Sequence, residues 1–215
     1  MQSISAFIFD MDGVLSDTQQ LHSRIESEVL AEYGIIISPE EISPRFAGTR
    51  TEEIFAKILE EHHSSYSVAD LLEEKWRRVT AMAESDVVPI KGAIALLERL
   101  TKEGYPLSVA SSSRTAYVEL ILRSLGIENH FQYVVTGEMV KRGKPDPDIF
   151  LLAAEKMHFP PEECIVIEDS RLGMLAARDA GMRCIGLVED IHREYPTPHL
   201  VQTLDEVTPE YIASL

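Results

Sequence analysis

Ser5-Ala6-Phe7-Ile8-Phe9-Asp10-Met11-Asp12-Gly13-Val14-Leu15 is a short apolar run that stops at two carboxylates and a glycine. So short and aromatic-rich a run reads as a strand buried on both faces rather than as a helix. Leu107–Ala110, Tyr133–Val135, Cys164–Ile167 and Arg183–Leu187 are four further strand candidates. Helix-period segments separate them: Ala93–Lys102, Thr115–Leu125, Pro147–Met157 and Leu172–Ala180. Gly104, Gly126 and Gly181 each follow a helical stretch, where a left-handed cap favours glycine. Strand and helix in strict alternation predict an α/β fold, a doubly wound parallel sheet with helices on both faces.

One region breaks the rhythm. Residues 16–86 hold no strand-like run and four helix-like ones, far beyond an ordinary loop. Leu21, Ile25, Val29 and Tyr33 make one apolar face, and Ile54, Phe55, Ile58 and Leu59 a second. Val68, Leu71, Leu72, Trp76 and Val79 make a third. The expected organisation is a main domain of residues 1–15 and 87–215 carrying a helical domain of residues 16–86. Asp86–Pro89 would bring the chain back to the main domain.

Composition narrows the partners. The chain has 215 residues, 45% hydrophobic and 26% charged, which is globular. Lys plus Arg total 20 against 36 for Asp plus Glu, a net charge of −16. That balance repels nucleic acid and anionic membrane, so neither is an expected partner. No apolar run is long enough to span a bilayer, and Met-Gln-Ser-Ile-Ser does not read as a secretory signal. Cys164 and Cys184, each inside an apolar segment, read as buried free thiols of a cytoplasmic protein. The acidic surface favours a monomer.

In a doubly wound sheet, ligands bind beyond the carboxyl ends of the strands. Asp10-Met11-Asp12-Gly13, Ser111-Ser112-Ser113 and Glu168-Asp169-Ser170 all fall there, and Lys141-Arg142-Gly143-Lys144-Pro145 follows the third strand. Singly, each has a plain explanation. An Asp after a strand caps a helix, Ser113 is placed to cap the helix that follows it, and acidic residues suit a helix N-terminus. Together they put several carboxylates at one point, where they repel one another unless a cation sits among them. Oxygen ligands without clustered His or Cys indicate a hard ion, and contact with phosphate suggests Mg²⁺. A hydroxyl and a lysine alongside then point to phosphoryl transfer.

The same residues, in this order and at these intervals, resemble the haloacid dehalogenase superfamily over residues 7–173. The helical insert after the first strand resembles the helical-cap subclass, with its β-phosphoglucomutase-like phosphatases and phosphomutases. The resemblance implies Asp10 as the nucleophile that forms an aspartyl-phosphate. It implies Asp12 as the general acid, which must hold a proton once a phosphate lies beside it. Ser111, Ser112 and Lys144 would bind the phosphoryl group. Asp10, Asp12 (through its backbone carbonyl), Glu168 and Asp169 would hold Mg²⁺. The cap would choose the substrate, hinging near Leu15–Ser16 and Val87–Pro89. His22 and Arg50 are its candidate substrate contacts.

The match loosens within the cap. The mutase pattern places its arginine where this chain has Thr51, and Arg50 sits one position nearer Gly48. The mutase's cap lysine has no fixed counterpart among Lys75, Arg77 and Arg78, and Thr115 stands where the mutase has an asparagine. The expected function is therefore a Mg²⁺-dependent phosphatase for a small phosphorylated metabolite, a sugar or polyol monophosphate. A phosphomutase is the alternative. A receiver-type phospho-acceptor module is more remote, because no helical cap follows the first strand there. A non-catalytic relative is disfavoured because every expected catalytic residue is present. His62-His63 reads as surface and Trp76 as core packing. No phosphate-loop, dinucleotide-turn or serine-elbow motif occurs.

Overall fold

A computed structural model describes residues 4–83 and 87–215. Met1–Ser3 of the supposed N-terminal non-signal and Asp86 of the supposed return segment lie outside the described residues. Among the described residues the six strands are β1 (Ala6–Phe9), β2 (Leu107–Ser111), β3 (Tyr133–Thr136), β4 (Cys164–Glu168), β5 (Arg183–Leu187) and β6 (His199–Val201). They form one sheet in the order β3-β2-β1-β4-β5-β6, parallel throughout. The chain winds one way from β1 and then the other way from β4, so the crevice between these two strands is the switch point where such sheets bind ligands. Register places Phe9 beside both Val109 and Ile167, which brings the ends of β1, β2 and β4 level.

Side chains of β1 alternate between two cores. Phe7 and Phe9 join one apolar cluster, Ala6 and Ile8 the other, and all four are fully buried. Helices α5 (Ala93–Lys102) and α6 (Thr115–Leu125) cover the first face, while α7 (Asp148–Met157) and α8 (Arg171–Asp179) cover the second. This is why the strand reads as continuously apolar rather than as alternating. Short α9 (Pro209–Ser214) follows the last strand. Cys164 and Cys184 are buried and free.

Between β1 and α5 stand α1 (Gln19–Glu32), α2 (Pro39–Phe46), α3 (Thr51–Glu61) and α4 (Val68–Ala83). Their apolar faces merge with the core through Ile25, Val29, Phe55, Ile58, Leu71 and Val79. The two connections run side by side. Asp17 N–H donates to Val88 O and Ile90 N–H to Leu15 O, each at 3.0 Å, and Ser16 bridges Pro89. Among the described residues, no helix is long and apolar enough to cross a membrane.

The four-helix segment lies down on the sheet edge. The Ser112 hydroxyl donates to Gly48 O at 2.6 Å. Arg50 donates to the carbonyls of Val140 at 3.4 Å and Lys141 at 3.2 Å. Trp76 of α4 packs on Tyr117 of α6 with ring centroids 5.5 Å apart, which matches its expected place in the core.

Candidate active site

The ends of β1 and β4 gather three carboxylates around one lysine. Asp10 directly follows β1 and Glu168 is the last residue of β4. Lys144, fully buried, donates to Asp10 Oδ1 at 2.6 Å, Glu168 Oε1 at 2.7 Å and Ala110 O at 3.3 Å. The other oxygen of Glu168 accepts from the Ser170 N–H at 2.6 Å and hydroxyl at 2.8 Å. Ser170 also caps α8 by accepting from Gly173 N–H at 3.0 Å, so the acidic stretch does open a helix while its first residue turns back to the lysine.

Asp169 completes a three-carboxylate group. One oxygen each from Asp10, Glu168 and Asp169 lie within 4.8 Å of one another. Burial pushes Asp169 well above the ordinary carboxylate range, and the charges of Glu168 and Asp10 push it further. Burial likewise raises Asp10; Lys144 opposes this, Glu168 and Asp12 add to it, and the result is about 7. Lys144 is held above the ordinary lysine range because Asp10 and Glu168 outweigh its burial. One ammonium thus faces more negative charge than it neutralises. An all-oxygen donor set with surplus negative charge fits a hard divalent cation such as Mg²⁺.

Glycines make room for this group. Gly13 has φ +91°, and a Cβ there would lie 2.1 Å from Asp169 Oδ2. Gly173 sits in the first turn of α8, where glycine costs about 1 kcal/mol relative to alanine. A Cβ at Gly173 would lie 1.7 Å from Glu168 Oε1. Gly173→Ala is therefore expected to lower the melting temperature despite its better helix propensity, because Glu168 must leave Lys144. A melt at or above the wild-type temperature would contradict this packing account.

Asp12 turns the other way. Its Oδ1 accepts from the Thr18 hydroxyl and its Oδ2 from the Ser113 hydroxyl at 3.0 Å. His22 Nε2 of α1 lies 3.3 Å from Oδ1, without hydrogen-bond alignment. Burial works to raise Asp12, but His22, Thr18 and Ser113 bring it down to about 2. Its carboxylate is therefore ionised while the cleft holds no phosphate, and taking up a proton requires that an incoming anion change this balance.

Ser113 departs from its expected capping role. The N-cap position of α6 is Arg114, and the Thr115 N–H is met by Glu138 Oε2 at 2.8 Å. Local sequence gives Ser113 a capping chance, whereas the fold offers it a carboxylate 101 positions away. Ser111 is buried, with its hydroxyl accepting from Ser113 N–H at 3.1 Å. Ser112 and Ser113 both open onto the cleft with Asp10, Asp12 and His22.

The cap candidates fare unequally. His22 is buried and faces the cleft. Arg50 is outside the cleft lining, where it pairs with Glu53 and spans to the loop that carries Lys144. Thr51 does line the cleft. Lys75 is fully buried and donates to the Thr51 hydroxyl at 2.9 Å. Arg77 and Arg78 bind Glu74 and Glu32 and are absent from the cleft lining, and Thr115 bonds Thr136 at 2.8 Å. His62 and His63 are exposed at the end of α3. Sequence reasoning passed over Thr18 and Glu26. Glu26 stands four residues after His22, one turn along the same buried side of α1, and that spacing is the signal that was available.

Known proteins resemble this chain in sequence and fold. A family model described as haloacid dehalogenase-like hydrolase matches residues 7–187. Fructose-1-phosphate phosphatase YqaB of Escherichia coli is 34% identical over 186 residues, 84% of this chain and 95% of that protein. β-Phosphoglucomutase of Bacillus subtilis is 34% identical over 193 residues, 86% of this chain and 83% of that protein. A mutant CbbY from Rhodobacter sphaeroides, solved with xylulose-1,5-bisphosphate, superposes with a TM-score of 0.86 at 28% identity, covering 97% of this chain and 99% of that one. Six parallel strands, the acidic switch point and a family match over most of the length agree, and this chain belongs to the haloacid dehalogenase-like hydrolases.

Proposed function

We propose that the protein is a Mg²⁺-dependent phosphatase that hydrolyses a sugar or polyol monophosphate in two steps through Asp10. The observation that carries this is Asp10 held by Lys144 at the switch point, with Asp12 across the same cleft. Asp10 attacks phosphorus and the ester P–O bond breaks. The departing alkoxide takes a proton from Asp12. A water then attacks the aspartyl-phosphate, giving its proton to Asp12, and the P–O bond to Asp10 breaks to release phosphate. An ionised carboxylate needs no base to become a nucleophile, and Lys144 helps keep Asp10 in that form.

Lys144, Ser111 and Ser112 receive the phosphoryl oxygens in this reading. Asp10, Glu168 and Asp169 hold the metal with their carboxylates and Asp12 with its backbone carbonyl. When bound, Mg²⁺ supplies positive charge to the phosphoryl oxygens and offsets the crowded carboxylates. Residues 16–86 serve as the cap, hinged on the paired connections at Leu15–Ser16 and Val87–Pro89. Closure through Gly48 and Arg50 excludes bulk water and lays Thr51 and Glu26 over the substrate. The protein works in the cytoplasm as a monomer. A mutase must hold a second phosphate in the cap; with Arg50 committed to Glu53 and the Lys141 carbonyl, phosphatase is the stronger reading.

The test is phosphate release from sugar, polyol and nucleoside monophosphates in Mg²⁺ and in EDTA. Release with Mg²⁺, lost in EDTA and restored by added Mg²⁺, is expected. Metal-independent release would contradict the proposal. So would sugar phosphate interconversion, primed by a bisphosphate, without net phosphate release.

A further inference from the structure

The cap wall of the cleft carries a particular balance of charge. Glu26 and Thr51 line it, together with neutral polar side chains such as Ser23 and Gln19, and no Lys or Arg is among the lining residues described. Lys75 lies behind this wall. It donates to Thr51 Oγ1 at 2.9 Å, Thr51 donates onward to Glu26 Oε1 at 3.3 Å, and Lys75 Nζ stands 3.8 Å from the same carboxylate oxygen. Both side chains are almost wholly buried. Lys75 is therefore committed to Thr51 and Glu26, and it lies behind the wall rather than in it. Two further cations near the cap are also matched: Arg50 by Glu53, and Arg114 by Glu52 at 3.8 Å.

A substrate in this cleft brings its phosphoryl group to Asp10 and Lys144. Whatever it carries at the other end meets an acidic acceptor and hydroxyls, with the ammonium screened behind them. Sugar hydroxyls can donate to Glu26 and exchange bonds with Thr51. A second phosphate or a carboxylate would instead face the Glu26 carboxylate in a wall whose described lining holds no Lys or Arg, and like charges so placed are strongly disfavoured.

We propose that Glu26, backed by Thr51 and Lys75, is a specificity-determining residue that accepts hydroxyls of an uncharged sugar or polyol moiety and rejects substrates bearing a second anionic group. This rests on the phosphatase reading above and narrows it. Bisphosphates and phosphorylated sugar acids become poor substrates, while monophosphates of neutral sugars and polyols become good ones.

The experiment compares kcat/KM within matched pairs: a ketose monophosphate against its bisphosphate, and an aldose 6-phosphate against the corresponding aldonic acid 6-phosphate. An aryl phosphate serves as a substrate without a sugar. The neutral member of each pair is expected to lead by about a hundredfold. Glu26→Gln leaves Lys75 without its counter-charge, so this ratio should fall by about tenfold or more. Lys75→Met, similar in length and apolar, leaves Glu26 unopposed and should widen the ratio. Because the readout is a ratio, a general loss of folded enzyme does not imitate it.

If the wild-type enzyme hydrolyses the doubly anionic members as well as the neutral ones, the inference is overturned and the phosphatase reading stands. Ratios unmoved by both substitutions would equally overturn the role of Glu26. Failure to release phosphate from every substrate, the aryl phosphate included, would instead overturn the phosphatase reading and the inference with it.

Discussion

Asp10→Asn removes turnover by roughly 10⁴-fold or more, since losing a nucleophile abolishes the covalent route and leaves only binding and electrostatic help. The fold should survive. Burial and Glu168 both disfavour the Asp10 charge, and its raised pKa means that the ionised carboxylate weighs against the folded state at neutral pH. The amide keeps an oxygen for Lys144, which also retains Glu168. The variant's melting temperature in EDTA at neutral pH should therefore equal or exceed that of the wild type. Comparing phosphate release with thermal melting checks both halves. Substantial turnover in a folded Asp10→Asn protein would refute the nucleophile.

The second large effect separates substrates by leaving group. Asp12→Ala should slow an alkyl phosphate by about 10²–10⁴-fold, the usual contribution of a general acid. An aryl phosphate with an acidic phenol should lose much less, because its leaving group departs without a proton. Thr18, Ser113 and His22 all stabilise the ionised form of Asp12, so the acid role depends on what the phosphate does to the site. Equal losses on alkyl and aryl substrates, measured as kcat/KM, would remove Asp12 from proton transfer and leave it a positioning role.

Much of this arrangement is legible in the chain, because its strands are buried on both faces and its motifs lie at their ends. The apolar runs of β2, β3 and β4 stop one residue early in the sequence reading, at Ala110, Val135 and Ile167. The structure carries each strand on to Ser111, Thr136 and Glu168. Those residues are polar yet still paired through their backbones, and Glu168 finds its partners in Lys144 and Ser170. Hydrophobic pattern ends where the site begins, so a pattern reading clips the strand at its functional residue. β6 is unmarked in the sequence for a different reason. His199–Val201 is three residues long, lies at the sheet edge and follows two prolines, so neither length nor periodicity marks it.

The four-helix segment shows the opposite balance. Its helices announce themselves through apolar spacing, but the contacts of its polar residues do not. Ser113 finds Asp12 rather than the helix it precedes, and Arg50 binds the Lys141 carbonyl across 91 positions. In sequence Lys75 stands with Arg77 and Arg78 as a counterpart of the mutase's cap lysine without a fixed register. Only the packing of α4 against α1 and α3 puts it behind Glu26 and Thr51. Such pairings depend on tertiary geometry, which spacing along one chain does not encode.

Acid quench during a single turnover with a substrate labelled in its phosphoryl group tests the central claim most directly. The account predicts label on the protein that hydroxylamine releases, as it does from an acyl phosphate, confined to the peptide containing Asp10 and absent from Asp10→Asn. Label elsewhere, on Ser112 or His22 for instance, or product formed with no labelled protein at any time when Asp10 is intact, would contradict it.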